Sequence, residues 1–209
     1  MKQNDYLNIV AHYESCLERY GDSHLGVDWP NRRDAHTRYR VMLGLIRETG
    51  PSRVTLLDFG CGLSHLYEYI RENGQDHIVY SGLDLSEKFL AVSSRKFPEN
   101  TYYCVDILTE GANLPAFDYI VMNGVFTEKR ELSFDAMFEY CQQVILQVFN
   151  LARRGIAFNV MSKHVDWERE DLFHLPFDTL ASFLIKKLTR NFVFRNDYGL
   201  YEYTTYVYK

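Results

Sequence analysis

A three-layer α/β fold, with a mostly parallel sheet between helices, is predicted by three observations. From Val54 onward, apolar runs that read as strands alternate with helical patterns. Such an alternation buries its apolar faces by placing helices on both sides of a parallel sheet. Three of the predicted strands end in an acidic residue, Asp58, Asp84 and Asp106, and the ends of parallel strands line one edge of the sheet, where ligands bind. The C-terminal stretch "NFVFRNDYGLYEYTTYVYK" breaks the alternation and reads as two strands around a tight turn, so at least one pairing is antiparallel.

In chain order, residues 1–50 read as helical. The second helix, over 31–46, places Ala35, Tyr39, Met42, Leu43 and Ile46 at helical spacing. Asn31 caps its start and Gly50-Pro51 ends it. "VTLLDF" is a buried strand and "LSHLYEYIREN" a helix; "HIVYSGLDL" is a second strand, followed by a helix that Ser86 opens. "TYYCVDI" and "FDYIVMNGVF" are the third and fourth strands. A long helix over about 131–153 carries the stripe Phe134, Met137, Phe138, Cys141, Ile145, Val148 and Phe149. "GIAFNVM" is a fifth strand and a last helix covers about 178–188.

The chain has 209 residues, so a single domain is expected: a helical N-terminal cap over 1–50 and an α/β core over 51–209. A formal net charge of −5 gives no electrostatic reason to expect nucleic acid as a partner. The local cluster of Arg32, Arg33, Arg38 and Arg40 makes no basic face and reads as a solvated helix start. The N-terminus lacks the apolar core of a signal peptide, and no apolar run approaches the 18 residues of a membrane span. The four cysteines form no CxxC pair and fit no zinc framework, so reduced thiols in a cytoplasmic protein are expected.

The chemistry centres on "LLDFGCGLSHL", a strand, a glycine turn and a helix start. A nicotinamide dinucleotide site needs G-x-G-x-x-G, the third glycine allowing close helix–strand packing. Here His65 stands at that third position and is a poor fit. Read from Asp58, the pattern is D-x-G-x-G, which suits S-adenosylmethionine. The strand-end carboxylate sets a negative field for a sulfonium and an ammonium, and Gly60 and Gly62 let backbone approach the methionyl chain. Asp84, at the end of the second strand, offers two acceptor oxygens to the two ribose hydroxyls. Asp106 offers an acceptor near the adenine amino group, with Ile107 against the ring.

On these residues the sequence resembles class I S-adenosylmethionine-dependent methyltransferases, the seven-stranded Rossmann-like family, over about residues 50–209. "LLDFGCG", "GLDLS" and "VDIL" resemble the family's glycine, ribose and adenine motifs, and the likeness implies that Leu85 lies beside the adenine. "FDYIVMNGVF" resembles its fourth-strand motif, which implies that Asn123 and Gly124 lie near the sulfonium. The family's sheet ends in an antiparallel hairpin. Ser64 departs from the third glycine common in the family; a small hydroxyl side chain is expected to keep the site intact. The resemblance also suggests that the helix over 31–46 closes the site and that Arg38 pairs with the cofactor carboxylate. The segments "LARRGIAFNVMSKHVDWE" and "RNDYGLYEYTTYVYK" are similar to a subgroup of small bacterial methyltransferases without a settled substrate.

The implied reaction carries a methyl group from S-adenosylmethionine to a small-molecule acceptor, leaving S-adenosylhomocysteine. An oxygen acceptor of sugar or natural-product type is favoured. No metal is demanded, and neither a metal set nor the Asn- or Asp-Pro-Pro-aromatic motif of base and glutamine amino-methylases is seen. The loop after the fifth strand supplies proton-handling groups: His164, the expected general base because it lies nearest the strand end, with Asp166 and His174 in the substrate pocket. Trp29, Trp167 and Phe173 are expected to wall that pocket. The competing readings are a catalytically idle cofactor-binding protein and a nicotinamide-dependent oxidoreductase.

Overall fold

A computed structural model describes residues 6–47, 53–109 and 113–209. Helices α1 (Leu7–Tyr20) and α2 (Arg32–Leu43), separated by a short 3-10 turn at Leu25–Val27, precede the sheet. The order is then β1 (Val54–Phe59), α3 (His65–Glu72), β2 (Ile78–Asp84), α4 (Glu87–Lys96), β3 (Thr101–Cys104), β4 (Phe117–Met122), α5 (Phe134–Leu151), β5 (Ala152–Met161), α6 (Phe177–Lys187), β6 (Phe192–Arg195) and β7 (Glu202–Tyr208).

The seven strands form one sheet in the order β3-β2-β1-β4-β5-β7-β6. Pairings among β1 to β5 are parallel, whereas β7 runs antiparallel to both β5 and β6. The predicted α/β class and terminal hairpin are both present, and the hairpin inserts β7 between β5 and β6. The chain moves outward from β1 to β3 and then returns to lay β4 on the other side of β1. That reversal opens a crevice at the carboxyl ends of the strands.

Two apolar clusters cover the two faces of the sheet. One packs Leu57, Ile120, Ile156 and Val207 against Tyr6 and Ile9 of the N-terminal segment and against α5 and α6. The other packs Leu56, Val121, Ala157 and Tyr206 against α2 and α3. Alternate residues of β1, β4 and β5 therefore serve opposite cores, as the two-residue period of a strand requires.

Helix starts follow the predicted capping chemistry. The Asn31 side chain accepts from the backbone N–H of Arg33 and Ser86 from that of Phe89. Helix α2 stops at Leu43, earlier than the spacing suggested. The hydroxyl of Tyr206 donates to the carbonyl of Val41, and a Cβ on Gly44 would lie 2.7 Å from that hydroxyl. The end of α2 is thus fixed by β7; the predicted Gly50-Pro51 stop lies outside the described residues. Strand β3 ends at Cys104, because the carboxylate of Asp106 turns back to accept from the N–H of Leu108 at 2.9 Å.

Candidate functional site

At the end of β1 the chain turns with Gly60, Gly62 and Ser64 all in the left-handed region, at φ 74°, 50° and 56°. Only glycine adopts this region without steric cost, so Ser64 carries strain at the position where the resembling family often has glycine. The turn is pinned to the end of β2. The N–H groups of Gly60 and Cys61 donate to the carbonyl of Leu83 at 2.7 and 3.0 Å, and that of Gly62 donates to Asp84 Oδ2 at 2.9 Å. Asp84 Oδ1 accepts from Ser86 N–H at 2.9 Å. One carboxylate therefore braces the glycine turn against the start of α4. Gly60→Ala is expected to cost about 1–2 kcal/mol, because its Cβ would also lie 2.7 Å from Val125 Cγ2. Equilibrium urea unfolding checks this, with Ser64→Gly, which relieves the same left-handed strain, as the control expected not to destabilise.

Asp58 sits behind the turn rather than in it. It is 3% exposed, and Tyr80 donates to its Oδ2 at 2.8 Å. Burial pushes its carboxyl up to about 7, opposed by the Tyr80 hydrogen bond and reinforced by the charge of Asp84. A carboxyl with a raised value in the folded state binds a proton that the unfolded chain releases near pH 3.9. It therefore stabilises the fold below that value, and the contribution is lost as pH rises through 7. Relative to Asp58→Asn, the native protein should lose roughly 1.4 kcal/mol of unfolding free energy between about pH 6 and pH 8. Paired urea titrations at the two pH values would show a flat difference if Asp58 were charged throughout.

The crevice above β1, β2 and β4 holds a cavity of about 130 Å³, lined by Gly60, Gly62, Asp84, Leu85, Asn123 and Gly124 and roofed by α1 through Ile9, Val10 and Tyr13. It is mainly apolar, with two polar features. Asp84 has its carboxyl raised, chiefly by burial, although three backbone N–H groups favour the charge. Asn123 Oδ1 is buried without a hydrogen-bond partner. Tyr6 also lines this cavity; its hydroxyl donates a short hydrogen bond to Asp106 Oδ2, and its ring stacks on Tyr140 at 4.9 Å. Burial and Asp106 together raise the Tyr6 hydroxyl to about 12.

A larger cavity of about 470 Å³ adjoins the first, and Tyr13 and Trp29 line both. Its walls include Arg38, Glu128, Asp166, Trp167 and His174. Glu128 is held there by two segments that pair after the strands end. It bridges to Leu172, and Phe173 N–H donates to the carbonyl of Thr127 at 2.8 Å. Burial, then the charges of Asp171 and Asp28, raise the Glu128 carboxyl. His174 is fixed by backbone on both sides: Nδ1 lies 2.6 Å from the carbonyl of Ser162, and Nε2 accepts from Arg169 N–H at 3.3 Å.

A buried relay ties the two cavities to the sheet. Gly124 N–H donates to Asn159 Oδ1 at 2.7 Å, and Asn159 Nδ2 donates to Glu202 Oε1 at 2.8 Å. Glu202 Oε2 accepts from Arg38 Nε at 2.7 Å, and the Arg38 guanidinium lies 4.3 Å from the Trp29 ring centroid. Gly124, at φ 84°, lets that indole approach, since a Cβ there would lie 3.1 Å from Trp29 Cζ2.

Residues 57–155, the segment holding the glycine turn, Asp84, Asp106 and Asn123, match a family described as a methyltransferase domain. Over 160 residues, covering 73% of this chain and 91% of the other, the sequence is 28% identical to Rv1506c of Mycobacterium tuberculosis, a protein provisionally named a methyltransferase. These matches support a class I S-adenosylmethionine-dependent methyltransferase. Its fold is shared with magnesium protoporphyrin IX methyltransferase of Synechocystis PCC 6803 with bound S-adenosylmethionine, at a TM-score of 0.65 and 16% identity over 98% of this chain and 94% of that one. The plantazolicin methyltransferase BpumL, solved with a pentazolic desmethylPZN analog and S-adenosylhomocysteine, gives a TM-score of 0.60 at 16% identity over 99% of this chain and 91% of that one. At these identities the likeness is one of fold.

Two features of the methyltransferase's smaller cavity fit the cofactor that the family uses. Asn123 presents a buried acceptor that lacks a donor, and the glycine turn presents backbone without side chains. The structure brings Gly60, Gly62, Asp84, Leu85, Asn123 and Gly124 together in that cavity, and Trp29, Asp166, Trp167 and His174 around the larger one. Asp58 and Ile107 are buried beneath the surface, and Asp106 stands behind Tyr6. Arg38 points to Glu202 and the larger cavity. His164 is exposed, stacks on Phe177 at 5.7 Å and lines neither cavity, while Phe173 is fully buried in the core. Among the described residues no helix of the methyltransferase is long and apolar enough to cross a membrane. Sequence reasoning missed Tyr6, Tyr13, Glu128, Asn159 and Glu202. Only Asn159 and Glu202 left a signal there, as polar residues inside runs of strand character.

Proposed function

We propose that this methyltransferase methylates a hydroxyl of a small molecule held in the larger cavity. The observation that carries the reading is the position of that cavity: about 470 Å³, within the usual range for small-molecule sites, and separated from the smaller cavity by Tyr13 and Trp29. Asp84 is assigned to both ribose hydroxyls, the backbone at Gly60 and Gly62 to the methionyl chain, and Asn123 and Gly124 to the neighbourhood of the sulfonium. Leu85, Asp106 and Ile107 are assigned to the adenine, and Asp58 to the charge beneath the turn. The smaller cavity is below the usual ligand-site volume. In this reading Tyr6 therefore leaves Asp106 when the adenine arrives, and α1 and α2 act as a cap on a single α/β domain.

The transfer is an in-line displacement. The acceptor oxygen forms the new bond to the methyl carbon as the sulfur–methyl bond breaks, and the hydroxyl proton must go to a base. Glu128 suits that role better than the histidines. Its Oε2 is buried on the cavity wall without a hydrogen-bond partner. Both ring nitrogens of His174 are engaged by backbone and His164 stands outside. Arg38, held by Glu202, walls the acceptor site rather than holding the cofactor carboxylate. A cytoplasmic setting without nucleic acid or membrane as partner is part of this reading.

Release of S-adenosylhomocysteine is the test, measured with a panel of hydroxyl-bearing and amine-bearing small molecules. Turnover on hydroxyl compounds, with a melting temperature raised by S-adenosylmethionine and unmoved by NAD, supports the proposal. Turnover confined to amines, or to protein or nucleic-acid acceptors, overturns it.

A further inference from the structure

Beside the larger cavity, which Asp28 lines, α1 presents two members of a cluster that the methyl-transfer reading does not use. His12 and Cys16 lie one turn apart on the same face of α1. Asp28 follows the 3-10 turn in a left-handed conformation, φ 55° and ψ 37°, which swings its carboxylate towards them. His12 Nε2 lies 2.7 Å from Asp28 Oδ2 and 3.9 Å from Cys16 Sγ, and the three donor atoms are all within 4.8 Å of one another. Tetrahedral zinc, with bonds of about 2.0–2.3 Å, separates its ligand atoms by about 3.3–3.7 Å. The His12–Cys16 separation of 3.9 Å is close to that spacing, and the His12–Asp28 pair would have to open from 2.7 Å to reach it. Imidazole, thiolate and carboxylate together are a donor set for a borderline-soft divalent cation rather than for calcium or magnesium.

A second observation points to a cation at the same place. Glu128 lines the same cavity as Asp28, is 9% exposed, and has a buried carboxylate oxygen with no hydrogen-bond partner. Its charge interacts with His12, Cys16 and Asp28. Among the described residues Arg130 and Arg169 are the arginines whose charge acts on it; Arg130 Nη1 lies 3.5 Å from that same Oε2, too far for a good hydrogen bond. A carboxylate left so on a cavity wall favours a positive charge nearby.

We propose that His12, Cys16 and Asp28 bind a thiophilic divalent cation, Zn²⁺ by donor set, with the fourth coordination position open towards Glu128 and the cavity. Binding displaces the Cys16 thiol proton to solvent and forms a metal–sulfur bond, so affinity rises with pH. The ion would tie α1 to the segment at Asp28, and both of these wall the two cavities. This proposal stands whether or not the hydroxyl acceptor is correct.

The experiment uses the full-length, tag-free protein stripped with a chelator and titrated with Co²⁺ and Zn²⁺. The expected result is one equivalent of Co²⁺ with a sulfur-to-cobalt charge-transfer band in the near ultraviolet, displaced by Zn²⁺ with proton release. Cys16→Ala should abolish the band and weaken Zn²⁺ on the order of a hundredfold or more. Cys104→Ala, which alters the exposed thiol, should leave both unchanged. Asp28→Asn, a change at a half-exposed side chain, should weaken the metal without unfolding the protein, and serves if Cys16→Ala does not fold. Absence of a saturable band, or a band that survives Cys16→Ala and is lost in Cys104→Ala, overturns the proposal.

Discussion

Replacing Glu202 with alanine should lower the unfolding free energy by about 3 kcal/mol, the largest loss expected from any single side chain of the relay. The carboxylate is 2% exposed and accepts from Arg38 Nε at 2.7 Å and Asn159 Nδ2 at 2.8 Å. Its removal leaves a guanidinium that is 19% exposed without its anion, and an amide donor without an acceptor. Breaking one side of a buried pair is costly because the remaining charge is not rehydrated. Arg38→Met together with Glu202→Leu removes both charges and should cost far less than the sum of the single changes. The relay also holds Gly124 and, through Arg38, the indole that lines both cavities, so KM for cofactor and for acceptor should rise together in Glu202→Ala. Equilibrium urea unfolding of the three variants decides the matter. A loss below about 1 kcal/mol, or simple additivity, would mean that Arg38 finds water as readily as it finds Glu202.

Much of this fold is legible in the chain because its signals are local. Asn31 and Ser86 cap helices through their own side chains, and the apolar alternation of β1 is set by the two-residue period. The glycine turn and Asp84 were readable for the same reason: the residues that make the contact are neighbours of the strands that carry them. What escaped depends on long-range packing. Tyr6 reaches Asp106 across a hundred residues, and Arg38 reaches Glu202 across 164. No spacing rule connects such pairs. Position near a strand end recommended His164 as the base. The chain beyond β5, however, turns so that His164 stacks on Phe177 at the surface, while His174 is drawn back to the carbonyl of Ser162. In the sequence His12 and Cys16 are only an i, i+4 pair, since Asp28 arrives beside them through the left-handed residue after a 3-10 turn.

Asp84→Ala should weaken S-adenosylmethionine and S-adenosylhomocysteine by about a hundredfold or more, since hydrogen bonds to a charged group contribute about 1.5–3 kcal/mol each and this carboxylate has one oxygen for each ribose hydroxyl. The effect has two sources that a single variant would merge. The same oxygens hold Gly62 N–H and Ser86 N–H at 2.9 Å, so alanine also frees the glycine turn. Asp84→Asn separates them. The amide retains one acceptor oxygen for a backbone N–H but presents a donor to the ribose, so the turn should be held in part while the hydroxyls lose their better acceptor. Calorimetric titration of both ligands, alongside thermal unfolding without ligand, gives the two readings. If ribose recognition is the main role, Asn should lose most of the affinity with a smaller loss of melting temperature than Ala. If the carboxylate serves chiefly to brace the turn, affinity will track stability across the two variants. Unchanged dissociation constants in Asp84→Ala would remove the ribose assignment altogether. The raised carboxyl of Asp84 adds a directional check: ligand that prefers the charged form releases a proton on binding, so affinity should fall as the buffer is made more acidic.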